Sequence, residues 1–232
     1  MIQIAIDGPS GAGKSTVAKL IAKKMGIVYV DTGALYRTVG YYVRQKGVDP
    51  KSHEGVSALL GEIDIQVKYE NGEQCVYLNG ENLGDKIRQN EISKYASDVS
   101  AIPAVRAFLL DTQKSIASQN SVVMDGRDIG TVILPNADVK IFLTATDEER
   151  AKRRYNELIA KGADVRLEDI LKEMKERDAN DKGRKIAPAI PAEDAIIFDN
   201  TGLTGEESCE KILEIVRDVQ NNRKEGVLQS TN

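Results

Sequence analysis

Tryptophan is absent from this 232-residue chain, histidine occurs once and cysteine twice. Cys75 and Cys209 stand far apart and form neither a C-x-x-C pair nor a Cys/His cluster. That excludes a disulfide framework and a zinc site of ordinary spacing. His53 lies in a polar segment, so a surface role is expected for it and catalysis is not expected to depend on imidazole. Long apolar runs are missing as well. None approaches the roughly 18 residues that a spanning helix needs, and the N-terminus enters a strand pattern without a basic, apolar, small-residue export signal. A cytoplasmic location and no membrane partner are therefore expected. Net charge is −4, which argues against nucleic acid as a partner, so any anion site must be a local concentration of positive charge.

What is present suits one main core with insertions: 41% hydrophobic and 29% charged residues, in a chain long for one domain and short for two. Ile2, Ile4 and Ile6 read as a buried strand ending at Asp7, glycines break it, and Val17, Leu20, Ile21 and Met25 then recur at helical spacing up to Gly26. Four more β-rich runs, "IVYV", "VVMD", "VKIFL" and "AIIFD", alternate with helical patterns. The spacing predicts an α/β fold, a parallel five-stranded sheet flanked by helices. Residues 63–83 break the rhythm with alternating "IDIQVKY", Asn71-Gly72, "QCVYL" and Asn79-Gly80, which predicts a small antiparallel lobe that the core does not need for its integrity. Pro103 is expected to open a helix, and Thr146/Glu149 and Thr204/Glu207 have capping-box spacing. The last residues, "KEGVLQSTN", are polar and expected to fray.

Gly8-Pro9-Ser10-Gly11-Ala12-Gly13-Lys14-Ser15 fits G-x-x-x-x-G-K-[ST] between a predicted strand and a predicted helix. Such a loop turns successive backbone N–H groups onto phosphate oxygens, the helix N-terminus adds partial positive charge, and Lys14 adds a full one. The motif indicates a nucleoside triphosphate but not its fate. Four further groups bear on that. Asp31 to Arg37, "DTGALYR", begins where the second strand ends, and in open α/β sheets ligands gather outside the carboxyl ends of strands. Asp125-Gly126-Arg127-Asp128 follows another strand end, with Asp125 placed for a hydrated Mg²⁺. Ser97 and Arg106 flank the start of the Pro103 helix. Arg177, Asp181 and Arg184 share one helical face if the helix runs past Gly183. Arginines gathered in an acidic protein suit two phosphorylated ligands. A phosphate acceptor is already ionised near neutral pH, so transfer to it needs positioning and charge neutralisation rather than a base. An alcohol acceptor calls for a carboxylate base, with Asp31 or Asp128 available.

"DGPSGAGKST", "DTGALYR", "DGRDIGTVILPNADVKIFLTA" and "ERDANDKGRKIAPAIPAEDA", in this order across nearly the whole chain, resemble the bacterial cytidylate kinases. The resemblance implies a P-loop kinase with a core of residues 1–35, 101–146 and 185–232, a monophosphate-binding part of residues 36–100 carrying the antiparallel insertion, and a helical lid of residues 147–184. It implies transfer of the γ-phosphoryl of ATP to CMP or dCMP, with Mg²⁺, by a monomer. ATP is expected on Gly8, Pro9, Ser10, Gly11, Ala12, Gly13, Lys14, Ser15 and Thr16, under lid residues Arg150, Arg153 and Arg154. Either Ser15 or Thr16 supplies the hydroxyl near Mg²⁺; Ser15 and Asp125 are taken as the metal pair. Arg37, Arg127 and Arg184 are expected at the acceptor phosphate, Thr32 beside them, Arg177 and Asp181 at the sugar, and Ser97, Arg106 and Asp128 at the base. Lys14, Arg127, Arg184 and Arg153 are expected to neutralise the transferring group. Cytosine offers an amino donor beside a ring-nitrogen acceptor, complementary to a carboxylate beside a guanidinium, and uracil reverses both signs. Two alternatives stand beside this reading: a kinase of another acceptor, UMP or a shikimate-like alcohol, and a nucleotide switch. The switch reading lacks an N-K-x-D segment for guanine.

Overall fold

The carboxyl ends of five parallel strands collect the chemistry of this chain at one edge, and the order of elements explains how. In the computed structural model, which describes residues 1–70 and 72–229, β1 (Gln3–Asp7) leads through the glycine loop into α1 (Lys14–Met25), β2 (Val28–Asp31) and α2 (Thr32–Gln45). α3 (His53–Leu59) precedes the antiparallel strands β3 (Ile65–Glu70), β4 (Glu73–Leu78) and β5 (Glu81–Asn82), and α4 (Asn90–Val99) and α5 (Pro103–Gln119) follow. β6 (Val122–Asp125), β7 (Val139–Thr144), α6 (Asp147–Ala160), α7 (Leu167–Lys182), β8 (Ile196–Asp199) and α8 (Gly205–Gln229) complete the chain. The main sheet runs β2-β6-β1-β7-β8, all pairs parallel. This is the predicted five-stranded α/β core. Register sets Asp31 beside Asp125 and Ile6 beside Asp125, so three strand ends finish level.

Local chemistry ends the helices where the sequence predicts. Gly26 caps α1 in the left-handed conformation, φ 65°, and Pro103 stands at the first turn of α5. Thr204 and Glu207 bond each other's backbone N–H groups and form the predicted capping box, whereas Thr146 only accepts the Glu149 N–H: its own N–H goes to Thr201 Oγ1 and the Glu149 carboxylate to Arg153. α7 stops at Lys182, so Arg184 lies beyond the helix rather than on its last turn. Asn71 of the expected Asn71-Gly72 turn lies outside the described residues, whereas Asn79 and Gly80 both take positive φ, as a two-residue hairpin turn requires. α8 runs to Gln229, further than the polar tail suggests; residues 230–232 lie outside the described residues.

The sheet and α1 and α8 enclose one hydrophobic cluster, built from Ile4, Ile6, Val17, Ile21, Ile141 and Ile212 among others. A second cluster departs from the expectation of a dispensable insertion. Val76, Leu78 and Leu83 of the antiparallel lobe pack into it with Leu35, Val39 and Val43 of α2, Ile92 and Val99 of α4, and Val105 and Leu109 of α5. The lobe therefore supplies one wall of a core that α2 and α5 depend on, and period-2 alternation alone could not reveal what its inner face covers. Leu78→Ala is expected to cost about 2–5 kcal/mol in urea-unfolding stability, and a loss below about 1 kcal/mol would return the lobe to an appendage.

Candidate active site

The glycine loop owes its shape to contacts on its outer side. Gly8 sits at φ 146°, and a Cβ there would lie 2.0 Å from the Leu143 carbonyl oxygen, so the loop leaves β1 against the backbone of β7 only because no side chain intervenes. At Gly11, φ 72°, a Cβ would lie 2.7 Å from Met174 Cε of α7. Lys14 is buried, and its Nζ donates to the Pro9 carbonyl at 2.7 Å. Burial first, and the charge of Arg127 second, push the Lys14 ammonium well below its ordinary pKa, while Asp125 opposes them. A cation held at such cost would be stabilised by an anion bound beside it.

Arg150 and Arg153, expected over ATP, turn to the loop's carbonyls instead. Arg150 donates to Ser10 O at 2.6 Å and Ala145 O at 3.2 Å and pairs with Asp147 and Asp178. Arg153 reaches Ala12 O at 3.4 Å, both oxygens of Asn200 and the Leu203 carbonyl, and Asn200 Nδ2 also donates to Ala12 O at 3.0 Å. The loop is thus held from outside at the carbonyls of Ser10 and Ala12, and the Ser10 N–H is donated to Asp178 Oδ1 at 3.0 Å. Arg154 pairs with Glu157 and Asn90 at the surface.

Three aspartates close the strands. Asp7 accepts the N–H groups of Ile129 at 2.8 Å and Gly130 at 2.7 Å, anchoring the turn after Asp128. Asp31 caps α2 by accepting from Ala34 at 2.9 Å and takes Arg37 at 2.6 Å, and Gln74 of β4 bonds both its N–H and its carbonyl. Asp125 is buried; Ser15 Oγ donates to its Oδ2 and Tyr29 Oη to its Oδ1, each at 2.8 Å. Thr32 Oγ1 donates to the Asp125 carbonyl at 2.8 Å, which turns it to the strand backbone. Burial, then the neighbouring Asp31, raise the Asp125 pKa. Ser15 and Asp125 thus form a hard-oxygen pair beside Lys14. Among the described residues no group of three or more His, Cys, Asp or Glu is placed to hold a metal ion. A hydrated cation completed by phosphate oxygens and water fits this donor set; a metal caged by protein does not.

The arginines converge around Asp181. Arg127 Nε donates to its Oδ2 at 3.0 Å, Arg184 reaches back to its Oδ1 from beyond the helix, and Ser97 Oγ lies 3.4 Å from Oδ1. Arg184 also bonds Ser100 Oγ at 2.7 Å, so a side-chain contact achieves what the broken helix does not. Burial works to raise the Asp181 pKa, but Arg127, Arg184 and Arg177 together hold it below the usual carboxylate value. The nearly buried Asp128 pairs with Arg106, whose guanidinium also donates to Ser100 O at 3.1 Å and lies 5.5 Å from the Tyr36 ring centroid. Arg177 is the least satisfied member. Its Nε is buried without a partner, as is that of Arg37, and burial followed by Arg127 lowers its pKa to about 10. An orphaned buried guanidinium N–H costs free energy that a bound oxyanion would recover. A cavity of about 400 Å³ is lined by Lys51, His53, Ser97, Asp98, Asn180 and Arg184 among others.

The roles of Tyr29, Gln74 and Asn200 have no signature in the sequence and Asp178 is legible only as part of the stretch that carries Arg177, because each acts on a partner 40 or more residues away. Tyr36 is legible only as part of the stretch that carries Arg37. Asp7 allows a direct test. Burial outweighs its two backbone hydrogen bonds and pushes its pKa up from 3.8 to about 6. The folded chain then holds the extra proton between about pH 4 and 6, so stability falls as pH rises through that window, by on the order of 3 kcal/mol at about 1.4 kcal/mol per tenfold change in proton affinity. Asp7→Asn, which cannot ionise, is expected to flatten that part of the pH profile of urea midpoints; a profile parallel to that of the unchanged protein would refute the raised value.

A family model described as cytidylate kinase matches residues 4–218. The chain is 52% identical to a cytidylate kinase of Caldicellulosiruptor bescii over 95% of its own length and 98% of the relative's. It is 50% identical to one of Fervidobacterium nodosum over 93% and 96%. A solved structure of an uncharacterised protein from Eubacterium ventriosum, 15% identical, overlays 94% of this chain and 98% of its own with TM-score 0.51 and so shares the fold. On the extent and level of these matches, the chain belongs to the cytidylate kinase family.

Proposed function

We propose that this protein transfers the γ-phosphoryl group of ATP to CMP or dCMP, yielding ADP and CDP or dCDP. The observation that carries the reading is the placement of an unsatisfied arginine cluster next to a phosphate loop: Arg37 and Arg177 both hold a buried Nε without a partner, and Lys14 is destabilised as a cation by its surroundings. Family membership supports the acceptor's identity, because relatives at about half identity are named for it.

In this reading Lys14 and the N–H groups of the loop between Gly8 and Thr16 hold the ATP phosphates, apart from Pro9, which has no N–H, and Ser10, whose N–H is donated to Asp178. Arg150 and Arg153 brace the loop through its carbonyls, and Arg154 remains at its edge. Arg37, Arg127 and Arg184 take the acceptor phosphate, with Thr32 shaping the strand end below them and Arg177 and Asp181 at the sugar. Lys14, Arg127, Arg184 and Arg153 are the cations assigned to charge on the transferring group, with Arg153 acting through the loop. Residues 36–100 act as the acceptor-binding part, residues 147–184 as a lid, and the remainder as the core. Ser15 and Asp125 hold Mg²⁺, the former chosen over Thr16 because its hydroxyl already meets Asp125. Bound Mg²⁺ supplies neutralising charge on the phosphates. The acceptor phosphate arrives ionised, so the protein's work is alignment and exclusion of water rather than proton removal.

Asp128 and Arg106, together with Ser97 near Asp181, read the base. The pairing of Asp128 with Arg106 presents an acceptor beside a donor, as the amino group and ring nitrogen of cytosine require, and uracil would leave both unmatched at about 1–3 kcal/mol each. The proposal takes the protein as a cytoplasmic monomer without nucleic-acid or membrane partners. Among the described residues no helix is long and apolar enough to cross a membrane.

A coupled ADP-release assay with ATP and Mg²⁺ is expected to respond to CMP and dCMP well above UMP, AMP or no acceptor. Faster turnover of UMP would overturn the cytosine assignment. Lys14→Ala is expected to lower kcat by about 10²–10³ with the fold retained by circular dichroism. Asp128→Asn is expected to raise KM for CMP about tenfold or more while KM for ATP moves little; equal changes in both would remove Asp128 from the acceptor site.

A further inference from the structure

A single turn of α7 touches both halves of the cleft. Arg177 and Asp181 belong to the arginine cluster, with Arg127 and Arg37 close enough to shift the Arg177 pKa. Asp178, next to Arg177, turns instead to the phosphate loop. Its Oδ1 accepts the Ser10 N–H at 3.0 Å, its Oδ2 accepts Arg150 Nη1 at 2.5 Å, and that same nitrogen donates to the Ser10 carbonyl at 2.6 Å. The Ser10 residue is thus gripped at both its amide and its carbonyl by a closed ring of three groups. Met174, one turn earlier, fills the space that the missing Cβ of Gly11 leaves open. Side-chain exposure of 6% for Arg150 and 20% for Asp178 shields this pair, so the discount due to an exposed ion pair does not apply.

We propose that Asp178 is a positioning residue that ties the acceptor-side helix to the donor-side phosphate loop, so that occupancy of either nucleotide site is felt at the other. The inference rests on the function proposed above. Its physical basis is the stiffness of one helical turn. Arg177 has an unsatisfied N–H and therefore moves toward an oxygen of the acceptor's sugar arriving at that site. Asp178 follows because the backbone between the two residues is helical, and the Ser10 peptide follows Asp178 because both its polar groups are engaged. Reacting atoms tolerate little misplacement: an error near 1 Å costs about 10²-fold in rate. A tether that registers the loop against the helix acts on the rate more than on either affinity alone.

The test compares the unchanged protein with Asp178→Asn, which keeps volume and one acceptor for Ser10 but sheds the charge that holds Arg150, and Asp178→Ala, which removes both. Three readouts are taken: hydrogen exchange of the peptide spanning residues 8–15 in the free protein, calorimetric binding of a non-hydrolysable ATP analogue with and without CMP, and turnover. Exchange of the loop is expected to rise about tenfold in the alanine variant and less in the asparagine variant, by release of one local opening constraint. In the unchanged protein each nucleotide is expected to tighten the other by about 5–150-fold. In both variants that factor falls toward one and kcat drops, while each nucleotide alone binds as before.

Unchanged exchange and unchanged coupling in Asp178→Ala would overturn the proposal, as would an absence of coupling in the unchanged protein. Equal loss of solitary and coupled ATP-analogue affinity would also overturn it, by making Asp178 part of the loop's own fold. Failure of the unchanged protein to phosphorylate CMP counts against the proposed function instead. Loop exchange and ATP-analogue binding decide the tether in that case as well, since neither needs turnover, and a tether without effect on either is refuted.

Discussion

Repulsion among Lys14, Arg37, Arg106, Arg127, Arg177 and Arg184 is the constraint that the rest of the cleft answers. Carboxylates temper it unevenly. Asp31 takes Arg37, Asp128 takes Arg106, and Asp181 is shared by Arg127 and Arg184, whereas Arg177 is left with a buried N–H and a lowered pKa. Desolvated positive charge of this kind destabilises the folded chain when the cleft is empty. On the proposed function it is the stored free energy that an incoming phosphate would draw on, and two hydrophobic clusters offset its cost.

The scaffold concentrates that charge through strand register. Parallel pairing sets Asp31 level with Asp125, and Asp125 level with the end of β1, so the loops that follow open on the same side. Polar side chains then lock each opening. Tyr29 and Ser15 converge on Asp125, Gln74 clamps both backbone groups of Asp31, and Asp7 holds the turn beyond Asp128. Gln74 matters for a second reason. It belongs to the antiparallel lobe, so the lobe both closes the second core and touches the strand end whose Asp31 holds Arg37 of α2.

The phosphate loop is shaped from behind. Arg150, Arg153 and Asn200 occupy its carbonyls, and absent side chains at Gly8 and Gly11 let β7 and α7 approach. A preorganised loop of this kind pays its ordering cost during folding rather than on nucleotide binding. The arginines that a charge-based reading sends to the nucleotide are thus partly consumed in holding the loop that meets it, a division invisible without knowing which way each guanidinium turns.

The sequence by itself determined the parallel core, its five strands, the phosphate loop, the Thr204/Glu207 capping box and the arginines that the structure gathers around Asp181, because these depend on short-range periodicity, turn chemistry and motif spacing. Cytosine as the expected base followed from motifs matched in order along the chain. Tertiary structure alone decided that Arg150 and Arg153 face carbonyls, that Arg184 joins Asp181 past the end of α7, that the antiparallel lobe walls a core, and that Asp178 holds Ser10 168 residues away. Each of these is a contact between distant segments. Its existence depends on how helices and sheet pack, and no local pattern in the chain encodes the direction in which a long charged side chain finds its partner.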